Sequence, residues 1–359
     1  MTLYLYISRY FLMWFLVILF GILGIIFIFD TIELLRRTAD KPDITFGVVL
    51  TMGFLNLPDM AQKTMPFVAL FSSMLTLWRL TRNQELVVVR AVGVSVWEFL
   101  LPILVTTVIL SLSYLFVINP LGAIMKKAYM DMENKYIERG VLMDISSAGL
   151  WLRQSNEDEN YLLHADVVSA DPFTLKPLIA FIYNRDGTYL GRIDAEKAEL
   201  VKNQWVITNA WHNMKGVPPE KRTRTYLPTQ LSMEKIQESM SPPSTVSFWD
   251  LPGFIAALES TGFPGIRHRL QLFSLVIQPI FLCAMVLFAA CFSLGMARRG
   301  GAMASALAGL FIGSFAFGMN DMIATLGVNQ TLPTWVAAFA TPLIALSGGA
   351  AALFHLEDG

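Results

Sequence analysis

The sequence predicts an α-helical membrane protein with six transmembrane helices, three on each side of an inserted β domain. Composition is the first reason: 54% of its 359 residues are hydrophobic and 15% are charged, a balance outside that of ordinary water-soluble domains. The second is a set of six apolar windows, each near the roughly 20 helical residues that cross a bilayer: Tyr10–Phe29, Met60–Trp78, Val96–Ile118, Leu270–Leu294, Ala302–Leu326 and Pro333–Phe354. The third is the polar stretch between the third and fourth windows, from about Gly140 to Gly262, where apolar and polar residues alternate. The chain therefore divides into helices one to three (1–135), a β domain (136–262) and helices four to six (263–359).

The first window follows a short flank containing Arg9. It is longer than a signal-peptide core and no small-x-small cleavage pattern follows it, so it reads as a retained anchor. Inside the insert, "YLLHADVV", "LIAFIYNRDGTYLGRI" and "AELVKNQWVITNAW" are strand-like and break at turn formers such as Asn184-Arg185-Asp186-Gly187. On the fifth window, Ser305, Gly309 and Gly313 form a small-residue stripe that favours close helix packing, within the bundle or at a dimer seam. Orientation follows the basic residues of the short loops: Arg9, then Arg79, Arg82 and Arg90, then Arg298 and Arg299, share one side, which should be the cytoplasm. The termini are then cytoplasmic and the β domain, after an odd number of spans, lies outside.

Net charge is −1, so nothing points to nucleic acid. Cys283 and Cys291 share one apolar run and suggest neither a disulfide nor a metal site. His164, His212, His268 and His355 are scattered, and no nucleophile elbow, zinc-helix motif or phosphate loop is present. An enzyme is not expected, and neither is a cofactor or a metal.

Two local groups of residues invite a functional reading. At the outer end of the first helix, Glu33 faces Arg36 and Arg37 at i+3 and i+4, with Lys41 beyond. This is either an interfacial ion-pair ladder or a site for the phosphates of a lipid headgroup, which guanidinium groups suit. Arg267 and Arg269, at the outer start of the fourth helix, would join the same layer, as would Lys63, although Asp59 stands four residues before it. The second group is "RNQELVVVRAVGVS", 82–95, between the second and third windows. A helix there presents Arg82, Glu85 and Arg90 together with Leu86 and Val89 on one broad side and Val87, Val88 and Ala91 on the other, so it should be buried on several faces, with Gly93 ending it. Such a helix can enter a groove on a cytoplasmic protein or simply lie at the interface. Asp321, deep in the fifth window, should face a bundle interior or cavity, or sit near the outer interface.

"FDTIELLRR", "MPFVALFSSMLTLWRLTRNQELVVVRAVGVS", "SAGLWLRQ" and "RHRLQLFSLVIQPIFLCAMVLFAACFSLG" resemble the LptF/LptG family of lipopolysaccharide-export permeases over nearly the whole chain, with a form closer to the LptG branch. The resemblance implies a multi-pass protein of the Gram-negative inner membrane, with its β domain a periplasmic jellyroll. It implies four partners: a homologous LptF-like permease, a cytoplasmic LptB-like ATPase dimer, a β-rich LptC-like bridge protein and lipopolysaccharide itself. By the same resemblance Arg36, Arg37, Lys41, Lys63, Arg267 and Arg269 would meet the phosphorylated headgroup. Arg82, Glu85, Leu86, Val89, Arg90 and Gly93 would form the coupling helix. Two rival functions remain, an ion-coupled secondary transporter and a non-transporting scaffold or receptor that displays a β domain. The first lacks repeated broken helices and midplane ion-coupling residues beyond Asp321, and the second leaves the basic layer unexplained.

Overall fold

The computed structural model describes residues 2–39, 41, 44–136, 142–146, 149–155, 159–170, 173–184, 187–201, 204–229, 242–260, 265–297 and 302–358. Two compact units emerge. One comprises Met1–Tyr129, Ser247–Leu251 and Ile266–Gly359, and the other Met130–Val246 and Pro252–Gly265.

The first unit is helical. Its elements are α1 (Thr2–Thr38), α2 (Phe46–Arg82), the short α3 (Glu85–Ala91), α4 (Val96–Ser113) and α5 (Asn119–Tyr136) as far as Tyr129, then α7 (Ile266–Ala297), α8 (Ala302–Val328) and α9 (Thr334–Asp358), while nearly all of α6 (Leu251–Ser260) belongs to the other unit. A π-helical turn, Tyr114–Ile118, joins α4 to α5 without a break. Among the described residues, five segments are long and apolar enough to cross a membrane: Leu3–Thr38, Val96–Tyr136, Ile266–Ser293, Leu307–Val328 and Thr334–His355. The remaining window, Met60–Trp78, lies in α2, which contacts α1, α7 and α8. Because α2 sits among other helices, it can bury Ser72, Ser73 and Thr76, whose hydroxyls donate to Ala69 O, Ala69 O and Ser72 O within the helix. Local back-bonding of this kind lets a polar residue sit in an apolar setting, and these polar residues make α2 less apolar than the five segments above. The core around it includes Phe11, Phe15, Leu70, Leu77, Phe99, Leu100, Leu282 and Met285.

Close helix approach is built into two places. A Cβ on Gly309 would collide with the Met74 sulfur, and one on Gly313 would lie 2.6 Å from Leu70 Cδ2, so both glycines of the stripe on α8 pack inside the bundle against α2. A Cβ on Gly122 of α5 would lie 2.9 Å from Pro58 Cβ of α2. Lys126, one turn after Gly122 on the same face, is thereby brought over α2. Large apolar residues remain exposed on α1 (Phe20, Ile25, Ile28, Phe29) and on α8 (Phe311, Phe315, Met322), as befits faces that meet lipid or another membrane chain.

The second unit holds one seven-stranded antiparallel sheet in sequential order, β1 (Leu142–Ser146), β2 (Gly149–Ser155), β3 (Glu159–Ala170), β4 (Phe173–Asn184), β5 (Tyr189–Val201), β6 (Gln204–Met214) and β7 (Glu220–Pro228). Among the described residues each strand pairs only with its chain neighbours, a meander. Gly187 has φ +80° and its N–H donates to Asn184 O at 2.9 Å between β4 and β5.

How a meander encloses a core is visible in its burial pattern. In β6, Trp205 and Ile207 are buried, then Ala210 and His212; in β5, Ile193 and Ala195, then Ala198; in β4, Leu175, then Leu178 and Ala180. The alternation slips by one residue along a row formed by Pro177, Glu196 and Asn209. Asn209 has φ +54°, and its amide donates to Glu196 Oε2 at 2.8 Å. Such irregularities bend strands and re-aim side chains, so both halves of the sheet bury side chains in one core, with Leu258 of α6 included.

His212 belongs to this core rather than to a site. It is buried, its Nε2 lies 2.8 Å from Thr225 Oγ1, and burial, aided by the nearby Arg222 charge, depresses its pKa below the ordinary histidine value. With the folded-state pKa lowered, the unfolded chain takes up the proton first, so stability is lost as pH falls through about 6.5, the unfolded value. Amide-exchange protection of β6, corrected for intrinsic rates, should drop between pH 7.5 and 5.5, and His212→Gln should flatten that dependence.

Candidate functional site

The C-terminal end of α1 carries Glu33, whose two carboxylate oxygens hold Arg36 Nε and Nη2 at 2.8 Å and Arg37 Nε at 3.0 Å. The side chains are exposed, Arg36 by 76% and Arg37 by 49%, and exposed pairs of this kind contribute little to stability. The ion-pair ladder expected from the spacing is present, and its two guanidinium groups are open to solvent. Lys41 follows α1, its N–H donating to Thr38 O at 3.0 Å. Asp40, Pro42 and Asp43 lie outside the described residues. Arg267 and Arg269 are exposed on the first turn of α7, flanking the buried His268.

Lys63 is drawn into a polar network that spacing alone shows in part. Asp59, buried on α2, accepts from Lys63 Nζ at 3.0 Å and also from Lys126 Nζ of α5 at 3.2 Å. Lys126 further donates to Asn56 Oδ1 at 2.7 Å, and Asn56 Nδ2 donates to Asp30 Oδ2 of α1 at 3.2 Å. The Tyr114 hydroxyl donates to Pro58 O at 3.0 Å beside it. Three helices are thus joined by charge and amide groups where an uncompensated charge would be costly. Sequence reading missed Asp30, Asn56 and Lys126; the available signal was that each is a polar residue at the margin of an apolar stretch.

At the opposite end of α2 the chain turns through Gln84, at φ +63°, into α3. Leu86 is buried in the helical core, Val89 is half-buried, and Val88 and Val92 are exposed by 62% and 79%. Gly93 has φ +91°, and Val94 N–H reaches Val89 O at 3.4 Å, the bond that closes a helix at a left-handed residue. The Ser95 hydroxyl then caps α4 by accepting from Glu98 N–H. Glu85 accepts from Asn83 Nδ2 at 3.2 Å and from the Tyr6 hydroxyl of α1 at 3.4 Å. Arg82 lies over the Trp78 ring and Arg79 over the Tyr10 ring, both at 5.2 Å. Arg90 is on α3, its side chain outside the described set, as are Arg298 and Arg299. Asp321 is exposed on α8, seven residues before its end, and does not face the interior of this chain's bundle.

Among the described residues no group of three or more His, Cys, Asp or Glu is placed to hold a metal. The model of a family described as lipopolysaccharide export system permease LptF/LptG matches residues 5–355. The chain belongs to the LptF/LptG family. It is 22% identical over 316 residues, 84% of each chain, to the lipopolysaccharide export system permease protein LptG of Haemophilus influenzae (strain ATCC 51907 / DSM 11121 / KW20 / Rd). It is likewise 22% identical over 291 residues, 79% of each chain, to the LptG protein of Escherichia coli (strain K12). These relatives place it nearer the LptG branch, and family membership makes it a transmembrane transport subunit rather than a catalyst.

Proposed function

We propose that this chain is the permease subunit of an ATP-driven exporter that draws lipopolysaccharide from the inner membrane and passes it to a periplasmic bridge toward the outer membrane. The family match carries the reading; the exposed guanidinium pair at the end of α1 supports the substrate assignment. In this reading α2 is the sixth span, the termini are cytoplasmic and the sheet unit is periplasmic, so the division at residues 135 and 262 separates membrane helices from the β domain. Arg36, Arg37, Lys41, Lys63, Arg267 and Arg269 meet the phosphorylated headgroup. Helix α3, with Arg82, Glu85, Leu86, Val89, Arg90 and Gly93, docks in a groove of a separate ATPase, and its exposed Val88 and Val92 supply the apolar contact. The exposed apolar faces of α1 and α8 suit a homologous permease, and the edge strands β1 and β7 suit a β-rich bridge protein.

Affinity purification from the native membrane tests this. An ATPase subunit and a second, homologous permease are expected to co-purify with the tagged chain and to carry lipopolysaccharide. A solitary chain that moves solute down an ion gradient would overturn the proposal in favour of a secondary transporter.

A further inference from the structure

Asp59 and its two lysines form an asymmetric arrangement. One oxygen, Oδ2, accepts from both ammonium groups. Lys126 is 13% exposed and is fixed from two other sides, by Asn56 Oδ1 at 2.7 Å and by the Tyr129 ring at 4.8 Å. Lys63 is 59% exposed. A lysine is a compact charge on a flexible stem, so Lys63 can exchange partners without any helix moving, whereas Lys126 is held in place.

We propose that Asp59 is the resident counter-ion of a two-lysine anion site, and that a phosphate of the lipid headgroup competes with its carboxylate for Lys63. The inference rests on the headgroup reading above. Without Asp59 the two ammonium groups would attract a phosphate more strongly, and the inner one would be left buried without a carboxylate. With Asp59 present, the net attraction is lower, and Lys63 has a partner to return to once the lipid departs. An exporter needs both properties, because a substrate held too tightly is not handed on. The link from Asn56 to Asp30 ties this exchange to α1. Arg36 stands six residues beyond Asp30 on that helix, a rise of roughly 9 Å.

The test uses the assembled complex in nanodiscs and the variant Asp59→Asn. Lipopolysaccharide binding should tighten by about threefold to fivefold, the range for one partly exposed charge pair, and ATP-driven release should slow. The gain should vanish for the dephosphorylated lipid. Inorganic phosphate, added as a competitor, should compete more effectively in the variant if the site recognises phosphate apart from the lipid, and fail to compete if the acyl chains are needed to deliver it; either result supports the site and identifies its source. Unchanged or weaker binding in Asp59→Asn, alongside a clear loss in an Arg36/Arg37 variant, would overturn the counter-ion role while leaving the headgroup layer standing. If neither variant changes binding, the headgroup reading itself fails. Should Asp59→Asn not assemble, Lys63→Met decides: its exposed side chain predicts an unchanged melting temperature with threefold to fivefold weaker binding, and unchanged binding overturns the proposal.

Discussion

Replacing Arg36 and Arg37 together by glutamine is expected to weaken lipopolysaccharide capture by roughly tenfold or more, with the melting temperature unchanged. Both halves of that expectation come from the geometry. The two guanidinium groups are exposed and both pair with Glu33, which is itself 39% exposed, so removing them leaves that carboxylate to solvent. A guanidinium offers a planar fork that matches phosphate oxygens, and Glu33 occupies only part of the two forks, with Arg36 Nε and Nη2 and Arg37 Nε. Photo-crosslinking from the C-terminal end of α1 to lipopolysaccharide in membranes measures the effect directly. Crosslinking at the unsubstituted level in a well-expressed double variant would reduce the cluster to a surface ion-pair ladder.

Glu85→Lys is expected to release the ATPase or to uncouple hydrolysis from export, since breaking one partner of a desolvated charge pair costs about 2–5 kcal/mol. Within this chain Glu85 accepts from the Tyr6 hydroxyl and from Asn83, so a second explanation for any defect is loss of the tie between α1 and α3. Tyr6→Phe separates the two. It removes the 3.4 Å contact and keeps the carboxylate, so assembly and ATP-driven export should persist if Glu85 acts on the ATPase. A compensating acidic substitution in the ATPase should partly rescue Glu85→Lys. Normal assembly and export by Glu85→Lys alone would remove this residue from the coupling contact.

Local regularities were legible before any fold was known. The strand alternation, the i+3 and i+4 pairing of Glu33 with Arg36 and Arg37, the pairing of Asp59 with Lys63, and the stop at Gly93 depend on residues within about one or two turns, and the apolar windows on roughly 20 consecutive residues. In the candidate site, this covers the ladder on α1 and the frame of α3. It does not cover the polar network or the tie at Glu85.

The residues that sequence reading missed belong to contacts between distant segments. Lys126 reaches Asn56 across 70 positions and Tyr6 reaches Glu85 across 79, and no periodicity records which faces of two helices will meet. Composition, the apolar windows and the alternation between them likewise determined that this is a membrane protein with an inserted β domain. The tertiary structure alone decided that α2 lies among other helices, where back-bonded hydroxyls are tolerated, and that the inserted strands run as a bent meander. It also decided that Asp59 serves two lysines: the close approach of Gly122 to Pro58 brings Lys126 over α2, and such proximity is a property of packed backbones, set by the absence of a Cβ at one crossing point.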